Sequence, residues 1–301
     1  MTRPATRSRK PSTTPPPRVT AELLADLARR LTDRDRDILE LVWEHRVLTT
    51  HQLTAIFFSS ATKARHRLLE LYRMAALERM QPWTPIGTLP WHWVLGPAGA
   101  HVLAAQRGID LAELGYRRTT ALSVCHSRQL GHLVGVNDFF AALHRHARTR
   151  TDGTQLAAWW SQRRCAALWG DLVRPDAFGH WIEPNARGEQ AGLDFFLEHD
   201  TGSEPLTQVA AKLDGYTALA ESSGISTIVL FWLPSTAREA NLRTHLTEQP
   251  RPVPVATAVQ TPLTHPQGPV GPLWLPLTSP GPRLRLAELA DAEELAHPGE
   301  R

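Results

Sequence analysis

Arg174-Pro175-Asp176, then Phe195-Phe196-Leu197-Glu198-His199-Asp200, then Lys212: the reading of this stretch decides the fold. The apolar run 193–197 is broken only by Asp194 and is short and aromatic, so it predicts a strand rather than a helix. Glu198 and Asp200 lie two residues apart, and an extended backbone points both carboxylates to one face. With Asp176 on a neighbouring strand, three carboxylates converge. That is the demand of a Mg²⁺ site, hard oxygen ligands around a cation that keeps several waters. Such an ion activates water and neutralises phosphate charge, and Lys212 adds a compact cation for the same phosphate. The plainer reading makes Asp176 a turn residue after proline and the two acids a solvated strand end; spacing alone leaves both open. One compositional fact gives Lys212 weight. Among 33 lysines and arginines, lysine occurs only at Lys10, Lys63 and Lys212, so a lysine here has survived a strong bias toward arginine.

The 301 residues suit two domains, each able to bury a core. Apolar content of 42% and charged content of 21% describe a soluble globular chain. No apolar run approaches the roughly 20 residues of a membrane span, and the basic N-terminus is followed by no hydrophobic segment, so the cytoplasm is the expected compartment. Cys125 and Cys165 are too few and too isolated for a disulfide framework or a zinc site and read as small core residues. Residues 1–150 hold 22 of the 33 basic residues but 12 of the 30 acids, leaving 11 and 18 for residues 151–301. A basic first half and an acidic second half suit a part that binds nucleic acid joined to a part that binds metal.

Upstream of the deciding stretch, residues 1–18 carry five basic residues, no acid and three consecutive prolines. They read as a disordered basic arm, either touching phosphates or merely solubilising. A short amphipathic helix is predicted over 19–31. Thr32 then caps a helix with an acidic first turn, Asp33-Arg34-Asp35. A second capped helix begins near Thr49, and a Ser59-Ser60 turn leads to a third over 61–74, with Ala64, Leu68, Leu71 and Tyr72 inward. Two helices, a tight turn and a basic third helix make a helix-turn-helix. Strand-like 76–80 and 91–95 flank a Pro/Gly-rich loop, which turns that unit into a winged helix-turn-helix. Lys63, Arg65, Arg67 and Arg73 on the third helix are the candidate contacts to double-stranded DNA. A helix from Ala98 ends at Gly108.

A polar link is expected at 111–121, so the first domain is 19–121. A long helix follows over 127–150, with Asn137 and Asp138 read as solvent-facing. A strand at 156–160, a loop at 181–192, a helix across 204–222 that puts Lys212 and Tyr216 on one face, a buried strand at 225–233, a helix at 236–246 and a weaker strand at 253–259 make an α/β sandwich with a mixed sheet over 122–260. The remainder, 261–301, reads as a Pro-rich tail with one anchoring segment, Leu273-Trp274-Leu275-Pro276-Leu277.

The second domain resembles the PD-(D/E)xK, restriction-endonuclease-like nuclease fold. The whole arrangement resembles the replication-relaxation family, carried by Gly135-Val136-Asn137-Asp138-Phe139-Phe140, Arg174-Pro175-Asp176, Phe195 through Asp200, and Lys212-Leu213-Asp214-Gly215-Tyr216. The resemblance implies DNA binding in the replication or relaxation of a plasmid or mobile element, with replication proteins as further partners and no membrane. It also implies Mg²⁺ held by Asp176, Glu198 and Asp200, with these three and Lys212 as the catalytic set of a nicking or cleaving nuclease. Nucleases of that fold carry lysine where this chain has Asp200, and Lys212 would supply the charge from the next helix. The alternatives are a non-catalytic winged-helix replication factor with a degenerate nuclease-like domain, or a transcriptional regulator.

Overall fold

A computed structural model describes residues 18–185, 187–278 and 281–290. All but the last residue of the expected basic arm, and the end of the Pro-rich tail, lie outside them. Among the described residues no helix is long and apolar enough to cross a membrane. The chain divides into two compact units, one up to Asn137 and one from Asp138.

The first unit opens with four helices, each started by a hydroxyl cap. In α1 (Ala21–Arg30) Thr20 accepts from the Leu23 amide, and Leu27 is buried. In α2 (Asp33–His45) Thr32 and Asp35 form a reciprocal capping box. After the two-residue strand β1 (Leu48–Thr49), Thr49 and Gln52 form another at the start of α3 (Thr50–Phe57). Ser60 caps α4 (Ala61–Arg73), which buries Ala64, Leu68 and Leu71 at the spacing expected of one helical face.

Strands β2 (Leu77–Met80) and β3 (His92–Leu95) form an antiparallel hairpin, and β1 adds to its far side in the order β1-β3-β2. Helix α5 (Pro97–Arg107) follows at once. Its approach demands glycine at Gly96, where a Cβ would lie 2.3 Å from the Ala75 carbonyl oxygen. The segment predicted to be a polar link is instead two short helices, α6 (Leu111–Leu114) and α7 (Arg118–Ser123). Asp110 and Glu113 supply a capping box to α6, a local signal that polarity alone conceals.

Helix α8 (Leu130–Ala147) carries the division between the units. Within the first unit, its Val134 carbonyl accepts from Gln52 and its Asn137 amide donates to the Val47 carbonyl, at 2.9 and 2.8 Å. Asn137 is therefore buried, not solvent-facing as its polarity suggests: it saturates a backbone carbonyl left without a ladder partner.

The second unit is a six-stranded mixed sheet in the order β4-β5-β6-β7-β8-β9 among the described residues. In chain order come β4 (Gln155–Ser161), α9 (Gln162–Trp169), β5 (Ala177–Pro184), β6 (Gln190–His199), α10 (Leu206–Ser223), β7 (Ile228–Leu233), α11 (Thr236–Glu248), β8 (Val255–Val259) and β9 (Leu275–Pro276). Strands β6, β7 and β8 run parallel and the others pair antiparallel. β7, IVLFWL, is buried at every position, as a central parallel strand covered on both faces must be. The predicted loop at 181–192 is shorter than read, because β5 extends to Pro184 before a turn closed by the Asn185 amide on the Glu189 carbonyl. Gly179 and the polar residues His180 and Glu183 hide this strand from a composition reading.

β6 sorts its side chains by alternation. Phe195 packs against Phe139 and Phe140 of α8. Phe196 turns the other way, onto Phe178, Trp169 and Tyr216, in a core shared with Val229, Phe231, Leu242 and Leu246. Gly179 lies under the Phe195 ring: an added Cβ would sit 2.3 Å from Cζ and 2.9 Å from Phe140 Cε1. Gly179→Ala is therefore expected to cost about 1–3 kcal/mol, the usual range for overpacking, readable in a denaturant titration. An unchanged midpoint would mean that the rings move aside freely.

The Pro-rich segment after residue 260 belongs to this unit as far as it is described. Trp274 is fully buried, donates its indole N–H to the Pro269 carbonyl and packs on Phe139 and Trp232. Two later arginines reach back to buried acids, Arg283 to Glu239 and Arg285 to Glu183.

Candidate functional site

Asp176 stands one residue before β5, directly beside the end of β6. Its Oδ2 accepts from the His199 backbone amide at 2.9 Å, and its Oδ1 accepts from Gln162 Nε2 at 3.4 Å. Glu198 points from β6 into the α10 face of the sheet. There both of its oxygens are claimed by residues one helical turn apart: Lys212 Nζ donates to Oε2 at 2.6 Å, and the Tyr216 hydroxyl donates to Oε1 at 2.5 Å. Sharing a helix face, as Lys212 and Tyr216 do, is what lets one carboxylate receive both.

The electrostatics follow from burial. Glu198 is 2% exposed. Desolvation, then the Asp176 carboxylate, push it up to about 7, against the opposing pull of Lys212 and Tyr216. Burial opposes the charge on Lys212, but Glu198 and Asp176 together hold the ammonium above its ordinary value. Burial and Glu198 raise the Tyr216 phenol likewise, so it stays a donor. Lys212, about a third exposed, also approaches Glu204 at 3.9 Å.

The structure thus brings together Asp176, Glu198 and Lys212, three of the four residues read as catalytic. Asp200 is held differently. Arg238 of α11 takes both of its carboxylate oxygens, Nε to Oδ2 at 2.6 Å and NH2 to Oδ1 at 3.2 Å, and the Gly202 amide adds a third bond. Asp200 follows directly on the end of β6, and an arginine 38 residues downstream has claimed it. No spacing rule exposes that pairing.

Mg²⁺ keeps several of its waters and is usually held through one or two carboxylates turned toward it. Here the oxygens of Glu198 and Asp200 are committed to Lys212, Tyr216, Arg238 and an amide, and those of Asp176 to His199 and Gln162. Among the described residues no group of three or more His, Cys, Asp or Glu side chains is disposed to hold a metal ion. The carboxylates expected to hold Mg²⁺, those of Asp176, Glu198 and Asp200, are each engaged by protein donors in this structure. The Lys212 ammonium and the Arg238 guanidinium supply positive charge to Glu198 and Asp200.

In the first unit, α4 presents Lys63, Arg65 and Arg73 to solvent, and among the described residues none of the three forms an ion pair. Arg67 is placed differently from its neighbours. Its guanidinium donates to Asp35 at 2.9 and 2.6 Å, to Glu70 at 2.6 Å and to the Arg30 carbonyl at 2.9 Å. Those bonds stitch α4 to α2 and to the end of α1, so Arg67, expected among the DNA contacts, is spent within the fold.

No curated protein and no solved structure matches the chain. The family model described as replication-relaxation matches residues 39–228, more than half of its length and including Lys63, Asp176, Glu198 and Lys212, and the protein belongs to the replication-relaxation family.

Proposed function

We infer that this is a non-cleaving DNA-binding protein acting in the replication or relaxation of a plasmid or other mobile element. In this reading the first unit is a winged helix. Its α3-turn-α4 element is the helix-turn-helix, α4 is the helix that meets the duplex, and the β2–β3 hairpin is the wing. The observation that carries the reading is the face of α4: Lys63, Arg65 and Arg73 are exposed and, among the described residues, without carboxylate partners, while the opposite face is buried. Cations kept free of acids on one helix face suit phosphates. In the same reading the second unit is a restriction-endonuclease-like domain whose carboxylates are neutralised internally, Glu198 by Lys212 and Asp200 by Arg238.

The test is a duplex-binding titration across salt concentrations, paired with a supercoiled-plasmid assay with and without Mg²⁺. Lys63→Ala, Arg65→Ala and Arg73→Ala combined should weaken binding. The slope of log K against log salt should shrink by about 0.9 for each phosphate that the protein no longer neutralises. Wild-type affinity and slope in the triple variant would remove α4 as the helix that meets the duplex. The convergence of Asp176, Glu198 and Lys212 favours a second reading, a nuclease whose lysine comes from α10. Mg²⁺-dependent nicking by the wild type, abolished by Glu198→Gln, would replace the non-cleaving reading with that one.

A further inference from the structure

Between α3, α4 and the hairpin of the first unit lies a cavity of about 340 Å³, lined among others by Arg65, Arg79, His51, Leu69, Trp91 and Trp93. Ligand cavities run from about 300 Å³ upward, so this one admits a small organic group and not merely an ion. Arg79, on β2, decides its chemistry. Its guanidinium carbon lies 4.1 Å from the Trp91 ring centre and 4.7 Å from that of Tyr72. Its Nε is buried without an acceptor, and among the described residues it has no ion pair.

That isolation is unusual within this chain, where Arg67, Arg238 and Arg283 each reach a carboxylate buried in the fold. Burial, with a contribution from nearby Arg73, holds Arg79 below its ordinary pKa against the opposing pull of Tyr72. Arg79 as a whole is half-buried, but its enclosed Nε lacks an acceptor, and an incoming anion would supply one. Arg65, on the rim, is likewise unpaired. Two indole rings, Leu69 and Pro90 form the apolar part of the remaining wall, beside His51, Thr50 and Thr54, so the anion should arrive attached to something flat. A nucleotide has both parts: a phosphate for two arginines and a base that stacks on aromatic rings. The adjoining loop from Gln81 to Trp91 has no charged side chain and exposes Trp83, Ile86 and Leu89. Apolar wedges of this kind unstack base steps.

We propose that this cavity binds a single unpaired nucleotide, its phosphate held by Arg79 and Arg65 and its base stacked on the indoles. The proposal rests on the reading of this unit as DNA-binding when the nucleotide belongs to a strand. A free nucleoside monophosphate offers the same chemistry, and the test separates the two sources. Fluorescence anisotropy on the full chain would compare a perfect duplex with the same duplex carrying one unpaired thymidine. Tryptophan fluorescence would be followed as dTMP is added.

The bulged duplex should bind about tenfold more tightly, the size of one base–aromatic stack. Arg79→Gln and, at the exposed rim, Arg65→Gln should each erase most of that preference, with thermal melts confirming that both variants are folded. If only dTMP acts, quenching the indoles saturably in the wild type and not in the variants, the cavity takes free nucleotides. Equal binding of both duplexes without quenching by dTMP overturns the proposal and leaves DNA binding intact. Binding of neither DNA, again without quenching, overturns both. A preference that survives in folded Arg79→Gln and Arg65→Gln proteins overturns the assignment to this cavity.

Discussion

Lys212→Met should cost the fold about 3 kcal/mol at pH 8 and about 1.4 kcal/mol less at pH 5, the worth of one pH unit of Glu198 ionisation. Removing one partner of a buried pair typically costs about 3–5 kcal/mol, because the other charge is left uncompensated. The lower end applies here because the ammonium is about a third exposed. The pH dependence comes from Glu198. Its folded pKa, about 7, lies above the ordinary 4.5. The folded protein therefore keeps a proton that the unfolded chain has released between those values. Stability from this group is complete below about 4.5 and is lost as pH rises through 7. At pH 5 Glu198 is largely protonated and asks less of Lys212. At pH 8 it must either ionise beside Asp176 without its cation or hold the proton against the solvent. Urea titrations at the two pH values measure the difference, and adding Glu198→Gln to Lys212→Met should recover most of the loss at pH 8. If the single variant matched the wild type at pH 8, Lys212 would not be what holds Glu198.

Arg67→Ala is expected to be comparably severe, about 3–5 kcal/mol, whereas Arg65→Ala two residues away should stay within about 0.5 kcal/mol of wild type. The Asp35 side chain has no exposure at all, and Arg67 is its cation. Burial pushes the Asp35 carboxyl up, but the hydrogen bonds from Arg67 and Thr32 outweigh it and leave the group below its ordinary 3.8. A depressed carboxyl contributes stability above its unfolded value and loses it as pH falls through the folded one. The gap between wild type and variant should therefore narrow in acid. Thermal melts from pH 7 down to 3 would show it, and a variant that is stable at pH 7 would mean that Asp35 has another cation.

These two arginines show how far the sequence could be read. Helix phase placed 64, 68 and 71 inward, and the caps at Thr32 and Thr49 were visible as residues, so α2, α3 and α4 were legible with their ends. The hairpin and the strands β4, β6, β7 and β8 were legible too, from apolar runs bounded by turn residues. Arg67 was not legible beside Arg65, because both are arginines on one basic helix. A signal did exist. Asp35 shares the buried face of α2 with Ile38, Leu39 and Val42, and a carboxylate in that phase requires a cation from elsewhere. Arg67 lies in the matching phase of α4, one residue before Leu68. The same gap explains Asp200, whose fate depends on Arg238 in a later helix. The meeting of Asp176, Glu198 and Lys212 was anticipated because each sits on an element whose type and order could be read. The hydroxyl of Tyr216 closing the site was foreseeable only as a helix-face neighbour of Lys212.

Strand β9 has a consequence for how the protein is made. The N-terminal edge of the sheet, β4, is in place early, but the open flank of β8 waits for residues some fifteen positions further on. There Thr257 pairs with Leu275, and Pro276, which has no amide hydrogen, faces Ala256. A proline on the outermost strand withholds a donor that another chain would need. Until the ribosome has delivered that segment, β8 presents unpaired amides and carbonyls beside the apolar β7, the kind of edge that recruits a neighbouring nascent chain. A premature stop between Val259 and Trp274 would leave that flank permanently bare. Such a product is expected to collect in the insoluble fraction rather than persist as a shortened, working protein.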